Sequence, residues 1–126
     1  MLLQRLPEFC IARGSTPCLE IGMPLELERE DVIYATFAQG RKALLEYNLN
    51  GSASTASEGP SGTMEIDLDD HKLLRIYLTQ ADTLKLEAGE VDLQLRMKRE
   101  DAGDALADTF HPWTGVVIGS AKEGEI

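Results

Sequence analysis

Alternation of apolar and polar residues is the dominant pattern along the chain. Its longest run covers Gly89 to Lys98, and the apolar positions there are Val91, Leu93, Leu95 and Met97. Successive side chains of a β-strand point to opposite faces of the sheet, so this run predicts a strand with one buried and one solvent-facing side. Shorter runs over Met64–Leu68 and Leu74–Leu78 predict two more strands of the same kind.

A β-hairpin is predicted in the first half of the chain. Val32 to Ala38 is rich in β-branched and aromatic residues, which favour extended structure. Gln39-Gly40-Arg41 supplies a turn that contains glycine, and Ala43 to Leu49 resumes the apolar pattern. The two runs are therefore expected to pair with each other.

Weaker signals complete the prediction of secondary structure. Leu19 to Leu27 alternates in part, and the glycine and proline within it indicate an edge strand or a bend. Thr109 to Ile118 predicts one or two short strands with a break at Pro112. Helical signal is confined to Thr79–Thr83, where Thr79 can cap one turn between two strands.

These elements predict an all-β fold, an antiparallel β-sandwich or barrel-like domain with about seven strands and at most one short helical turn. A length of 126 residues fits a single domain. Within it we expect an N-terminal arm over 1–12 and a polar tail over 119–126. The Ser/Gly-rich segment 50–63 has no bulky apolar residue to bury before Met64, so a mobile loop is predicted there.

Composition narrows the classes of partner. Hydrophobic residues make up 43% of the chain and charged residues 27%, as in globular proteins. The formal net charge of −10 disfavours a nucleic-acid partner, because the phosphate backbone is also negative. Pro7 and Glu8 interrupt the apolar residues at the start, so neither a signal peptide nor a membrane span is predicted.

The two cysteines are expected to be free thiols in a reducing compartment. A bridge between Cys10 and Cys18 that fastens the N-terminal arm to the first strand is the alternative, since a spacing of eight positions permits it. No cofactor or metal site is predicted from them, because neither histidine lies near either cysteine in sequence.

The acidic cluster Asp67, Asp69, Asp70 with His71 is the group that most resembles a metal site. Asp67 and Asp69 fall on the polar side of a predicted strand, and Asp70-His71-Lys72 is typical of a turn. The glycine and the distal glutamate of a calcium loop are missing, so no metal is predicted.

No arrangement for nucleophilic catalysis is recognised. Gly59-Pro60-Ser61-Gly62-Thr63 approaches a nucleophile elbow, but the glycine after the serine, Gly62, comes one place too early. Paired carboxylates occur by chance among 22 acidic residues and carry no information without geometry. We therefore expect no enzymatic activity.

Two aromatic positions could contact a partner. Alternation places Tyr77 outward between Arg75 and Thr79, and these three residues are the predicted partner-facing group. His111 and Trp113 flank Pro112 and could form a second recognition surface, although a tryptophan in the core at one end of the sandwich is the stronger interpretation.

Three segments resemble small β proteins from the tail regions of phages and prophages of Gram-positive bacteria, including the N-terminal domains of some baseplate upper proteins. They are Arg13–Pro17, Ile33–Gly40, and Leu78–Leu84 followed by Gly89–Arg96. The resemblance implies a non-catalytic structural module that docks on other tail or baseplate proteins through edge strands and outward faces. It implies synthesis in the cytoplasm and association with the virion, and it leaves self-association open.

Two other functions are kept as alternatives. A carbohydrate-binding, lectin-like module would need several exposed aromatic side chains, whereas aromatic residues make up 6% of the chain with one tryptophan. A small hydrolase that uses an acidic pair is the third possibility. The scarcity of aromatic residues favours the assembly module over the lectin.

Overall fold

The computed structural model describes the backbone of residues 3–5, 8–50, 62–101, 104–109 and 113–119. Side chains are described for 8–50, 62–98 and 113–119. The loop predicted over 50–63 lies outside the described residues except at its ends. The polar tail predicted over 119–126 lies outside them beyond residue 119.

Within the described residues the chain forms ten strands and one four-residue helix, which confirms the all-β class. The strands are β1 (Leu3–Arg5), β2 (Cys10–Ala12), β3 (Cys18–Gly22), β4 (Val32–Gln39), β5 (Lys42–Leu49), β6 (Thr63–Ile66), β7 (Leu73–Tyr77), β8 (Gly89–Asp101), β9 (Asp104–Thr109) and β10 (Trp113–Ile118). The helix α1 (Gln80–Thr83) connects β7 to β8. In the part of the chain that is described, no helix has the length and apolar character needed to span a bilayer.

The strands form two sheets. The smaller sheet has the order β1-β3-β7-β6, and the larger has the order β2-β10-β8-β4-β5 with β9 also paired to β8. Strand β8 is the centre of the larger sheet, because it pairs antiparallel with β4, β9 and β10. Two short pairs, β1 with β3 and β2 with β10, are parallel. Segments of the predicted N-terminal arm therefore contribute one strand to each sheet.

The core lies between the sheets and follows the predicted alternation. Val91, Leu93, Leu95 and Met97 of β8 are all buried. Leu74 and Ile76 of β7 and Leu19 and Ile21 of β3 are buried as well, and they belong to the same core cluster. Apolar side chains of both sheets thus share one hydrophobic interior, as in other two-layer β folds.

An apolar residue of the predicted strand Met64–Leu68 falls outside this core. Leu68 is 90% exposed, because β6 ends at Ile66 and the chain then turns toward β7. The predicted extension of that strand to Leu68 is wrong for this reason.

The hairpin of β4 and β5 is confirmed, with Gly40 at a positive φ of 66° in its turn. The weaker strand predicted from Leu19 onward ends at Gly22 and lies between β1 and β7, so it is interior to its sheet. The glycine and proline that indicated an edge therefore mark the end of the strand. The edge strand on this side of the sheet is β1, which the alternation of apolar and polar residues did not predict.

Close packing at β10 depends on a glycine. A Cβ atom added at Gly115 would lie 2.4 Å from the ring of Phe9. Phe9 is buried there and meets Phe37 edge to face, with ring centroids 6.5 Å apart. Trp113 is half-buried and packs against the core, whereas His111 and Pro112 lie outside the described residues.

The alternation on β8 leads to a stability prediction. Leu93→Ala should lower the free energy of unfolding by about 2 to 5 kcal/mol, because it leaves a cavity in a fully buried position. Gln94→Ala, the exposed neighbour on the same strand, should change it by less than about 0.5 kcal/mol. Urea denaturation measures both, and equal midpoints for the two variants would contradict the assignment of faces.

Candidate functional site

The outer face of the smaller sheet carries the predicted partner-facing residues Arg75 and Tyr77. Strand pairing sets Arg75 beside Glu20 of β3 and Glu65 of β6, and it sets Tyr77 beside Cys18. All five residues share this face, because their neighbours along each strand point into the core. The result is a polar surface that alternates acidic and basic groups across the strands.

Arg75 is held by two carboxylates. Its guanidinium donates from Nε to Oε2 of Glu20 at 3.1 Å, pairs with the same oxygen through Nη2 at 3.0 Å, and donates from Nη1 to Asp67. The side chain of Glu20 is only 2% exposed and that of Arg75 is 23% exposed. The hydrogen bond to Arg75 lowers the pKa of Asp67, and the pKa of Arg75 is raised chiefly by the same bond.

Tyr77 is also bonded within the domain. Its hydroxyl donates to Oε2 of Glu65 at 2.9 Å, and this bond raises the pKa of Tyr77. Cys18 is buried beside it, and burial raises the pKa of the thiol above its ordinary value. The polar atoms of Arg75 and Tyr77 are therefore used in stabilising this face.

Thr79 lies two positions beyond the end of β7, at the start of α1. Its hydroxyl accepts from the backbone N–H of Asp82 at 3.2 Å, and Asp82 Oδ2 accepts from the N–H of Thr79 at 3.3 Å. This reciprocal pair is a capping box, and it confirms the predicted helical turn. The structure thus brings Arg75 and Tyr77 together on one strand and gives Thr79 a role in capping.

Asp82 does more than close the capping box, and its further role was not apparent from sequence. It is fully buried, and Oδ2 also accepts from the hydroxyl of Tyr47 at 2.6 Å and from the N–H of Gly62 at 2.8 Å. Burial and this hydrogen bond raise the pKa of Tyr47 well above its ordinary value. The Thr79–Asp82 spacing signals the cap, but the contact with Tyr47 spans 35 positions and has no local signal.

The segment that begins at Arg13 packs against the end of α1. Arg13 donates from Nε to the carbonyl of Leu86 at 2.7 Å and from Nη2 to that of Leu84 at 3.1 Å. The N–H of Gly14 donates to Oγ1 of Thr83 at 3.0 Å, and that hydroxyl donates to the carbonyl of Ser15. Gly14 has a positive φ of 85°, a conformation that glycine adopts without strain.

The acidic cluster forms a turn. Asp67 Oδ2 accepts from the N–H groups of Asp69 at 3.0 Å and Asp70 at 2.8 Å, and Asp70 Oδ1 accepts from the N–H of Lys72 at 3.0 Å. Aspartate commonly stabilises turns in this way. Across the described residues, no group of three His, Cys, Asp or Glu side chains is placed to hold a metal ion.

A cleft of about 580 Å³ opens beside this turn. It is lined by the apolar residues Leu27, Leu49, Ile66 and Leu68 and by the polar residues Arg29, Asn50, Glu65, Asp67 and His71. These residues come from the β3–β4 connection, the end of β5, and the end of β6 with the turn that follows it. Sequence reasoning did not predict the cleft, because it depends on how these three segments pack.

The outer face of the larger sheet has an apolar strip, which we call the β10 strip: Cys10, Val116 and Ile118. Val116 and Ile118 are each 47% exposed, and Cys10 of the neighbouring strand β2 is exposed as well. Glu90 of β8 lies opposite Val116 on the same face. Thr109–Ile118 was predicted to be extended, but the exposure of two of its aliphatic side chains was not.

The ion pairs of Arg75 and Arg96 allow a matched test. Arg75→Met should lower the urea midpoint clearly, since the nearly buried carboxylate of Glu20 loses its guanidinium partner. Arg96→Met should lower it much less, because Arg96 is 52% exposed and its pair with Glu46 at 3.4 Å is a surface contact. A smaller effect at Arg75 than at Arg96 would contradict the structural role given to the Glu20 pair.

The cysteines allow a chemical test. Neither forms a disulfide: Cys10 is exposed on the larger sheet and Cys18 is buried on the smaller one. In the native protein a thiol reagent should modify Cys10 quickly and Cys18 only slowly, because burial and a raised pKa both disfavour the reactive thiolate of Cys18. In denaturant both should react. Native Cys10→Ser protein that reacts as fast as Cys18→Ser protein would contradict these placements.

No protein-family model matches the sequence, and no curated protein matches it in sequence. Comparison with solved structures finds the N-terminal domain of phage TP901-1 ORF48, with a TM-score of 0.57 and 6% sequence identity. The superposition covers 94% of this chain and 99% of that domain. The chain therefore has the fold of that phage domain over nearly its whole length.

Proposed function

We propose that this chain is a non-catalytic structural module that docks on other proteins of a phage or prophage tail, with the baseplate as its setting. The observation that carries the proposal is the shared fold with a phage protein domain, which extends over 94% of this chain and 99% of the other. The resemblance of three sequence segments to tail-region proteins points the same way. A fold can host many functions, so the proposal is tested by binding.

The segments that resemble tail-region proteins lie in β4, in β8 and around α1. Arg13–Pro17 packs on the helical turn within Leu78–Leu84 through the bonds from Arg13 and Gly14. Ile33–Gly40 forms most of β4, which pairs with both β5 and β8. Shared residues at these positions support a common architecture and carry no catalytic role from one protein to another.

The absence of catalysis is part of the proposal and is supported by how the polar groups are used. Asp82 accepts hydrogen bonds from three donors in the interior. Asp67 accepts one from Arg75 and another from the backbone N–H of Asp70 in the turn. Cys18 is buried, and its raised pKa favours the unreactive thiol. The groups that most resemble catalytic ones therefore have structural partners within the fold.

The partner proposed is another tail protein. The net charge of −10 disfavours nucleic acid and favours partners with basic surfaces. Arg75 and Tyr77 remain a predicted contact, but a partner there must compete with their bonds to Glu20, Asp67 and Glu65. Docking as such does not depend on that face.

Binding to proteins encoded by neighbouring genes tests the proposal. The full chain is immobilised and each purified neighbour is passed over it, while a glycan array is probed with the same preparation. We expect at least one saturable protein partner and no binding on the array. Catalysis is tested by screening glycosidase and esterase substrates, and no turnover is expected.

Three results would contradict the proposal. Strong glycan binding without a protein partner would identify a carbohydrate-binding module. Turnover that is abolished by Asp67→Asn or Asp70→Asn would identify an enzyme. If none of the proteins encoded by neighbouring genes binds, the proposed assembly function is wrong.

A further inference from the structure

We propose that the β10 strip is the surface through which this domain docks, and that its partner is a protein surface with apolar side chains bordered by lysine and arginine. The inference rests on the proposed function, since it names the face and the partner chemistry for that docking. It begins from the exposure of Val116 and Ile118.

Strand pairing fixes the geometry of the strip. β10 lies between β2 and β8, with Val116 opposite Cys10 on one side and Glu90 on the other. Val117 and Ile11 alternate with these residues and are buried, so Cys10, Val116 and Ile118 all point outward. The strip therefore lies near one edge of the larger sheet. Among the described residues, β2 is the outermost strand on that side.

The described centre of this outer face, on β4, β5 and β8, carries polar groups that contact one another. Arg96 pairs with Glu46 at 3.4 Å and lies over the ring of Tyr34, 5.3 Å from its centroid. Thr36 donates to the same carboxylate at 3.5 Å. Single exposed apolar residues are ordinary, but two aliphatic side chains and a thiol side by side at the end of a sheet are typical of a contact surface.

The charges around the strip specify the partner. The segments Glu8–Ala12, Gly89–Leu93 and Trp113–Ile118 contain three acidic residues, Glu8, Glu90 and Asp92, and no lysine or arginine. All three are exposed. Arg13 follows directly, but its guanidinium is directed onto the carbonyls of Leu84 and Leu86. A basic border on the partner would complement this acidic rim and speed association.

The same charges argue against a second copy as the occupant. A two-fold interface brings the same patch of both chains together. The acidic rims of two chains, each with a formal charge of −10, would then face each other and repel. A different protein, with apolar side chains and a basic border, can contact both the apolar strip and its acidic rim.

The first experiment measures the affinity of full-length variants for the neighbouring protein that binds the unmodified chain. Val116→Glu should weaken binding about tenfold or more, as loss of an interface anchor does. The control is Gln94→Glu, which adds the same charge to an exposed position on the same face and should have less than about a twofold effect. Circular dichroism and urea midpoints check that both variants are folded.

The second experiment tests the rim. Glu90→Lys should weaken binding, and added salt should reduce the affinity of the unmodified chain, because the contact is between opposite charges. The control Asp69→Lys makes the same change of charge in the turn after β6 and should bind as the unmodified chain does. Equal effects of the two substitutions would contradict the proposed basic border.

Cys10 supplies a third measurement without any substitution. A bound partner should protect Cys10 from iodoacetamide, because its thiol lies beside Val116. Cys18 is buried on the other sheet and serves as the internal reference, whose slow reaction should not change. Unchanged modification of Cys10 at saturating partner would contradict docking on the strip.

The outcomes separate the inference from the function on which it rests. If a neighbouring protein binds and Val116→Glu binds as well as Gln94→Glu, the docking face is wrong and the assembly function stands. If Tyr77→Ala alone weakens binding, the smaller sheet is the docking face. A dimer of the unmodified chain that Val116→Glu dissolves would make a second copy the occupant and overturn the inference. If no neighbouring protein binds, both proposals fail.

Discussion

The buried carboxylate of Asp82 is the interaction on which the joining of the two sheets depends. It receives hydrogen bonds from Tyr47 of the larger sheet, from Gly62 just before β6 of the smaller sheet, and from Thr79 just after β7. An isolated charge in an apolar interior is costly, whereas one that accepts several hydrogen bonds is tolerated. The carboxylate thus requires all three segments to be in place at once, which favours a single arrangement of the sheets.

On the outer face of the smaller sheet, charged groups are likewise bonded to other groups of the same domain. Glu20 is only 2% exposed, and the guanidinium of Arg75 on the neighbouring strand offsets part of the cost of burying its charge. Asp67 binds the other side of that guanidinium and also stabilises the turn that follows β6. Because these charged groups are bonded to each other, a partner on this face must replace internal bonds before it gains any.

Much of the fold could be predicted from alternation, because β4 to β8 each have one apolar and one polar face. The three-residue strands β1 and β2 are too short to show a period, and their parallel pairing depends on where the chain returns. Glu20 alternates as a solvent-facing residue should, but it is buried, and its hydrogen bond with Arg75 spans 55 positions. The placement of residues in the acidic turn and in the helical cap could be predicted because their hydrogen bonds are local.

The exposure of two aliphatic residues on β10 could not be predicted from sequence either. Val116, Val117 and Ile118 are consecutive, so the period of two cannot say which of them faces the core. The structure buries Val117 and leaves the other two about half exposed. Half-exposed aliphatic side chains offer little area each, so a contact through them alone is weak. A module of this kind gains stable attachment when the partner adds charge complementarity or when several copies bind together, because linked contacts raise the effective concentration of each.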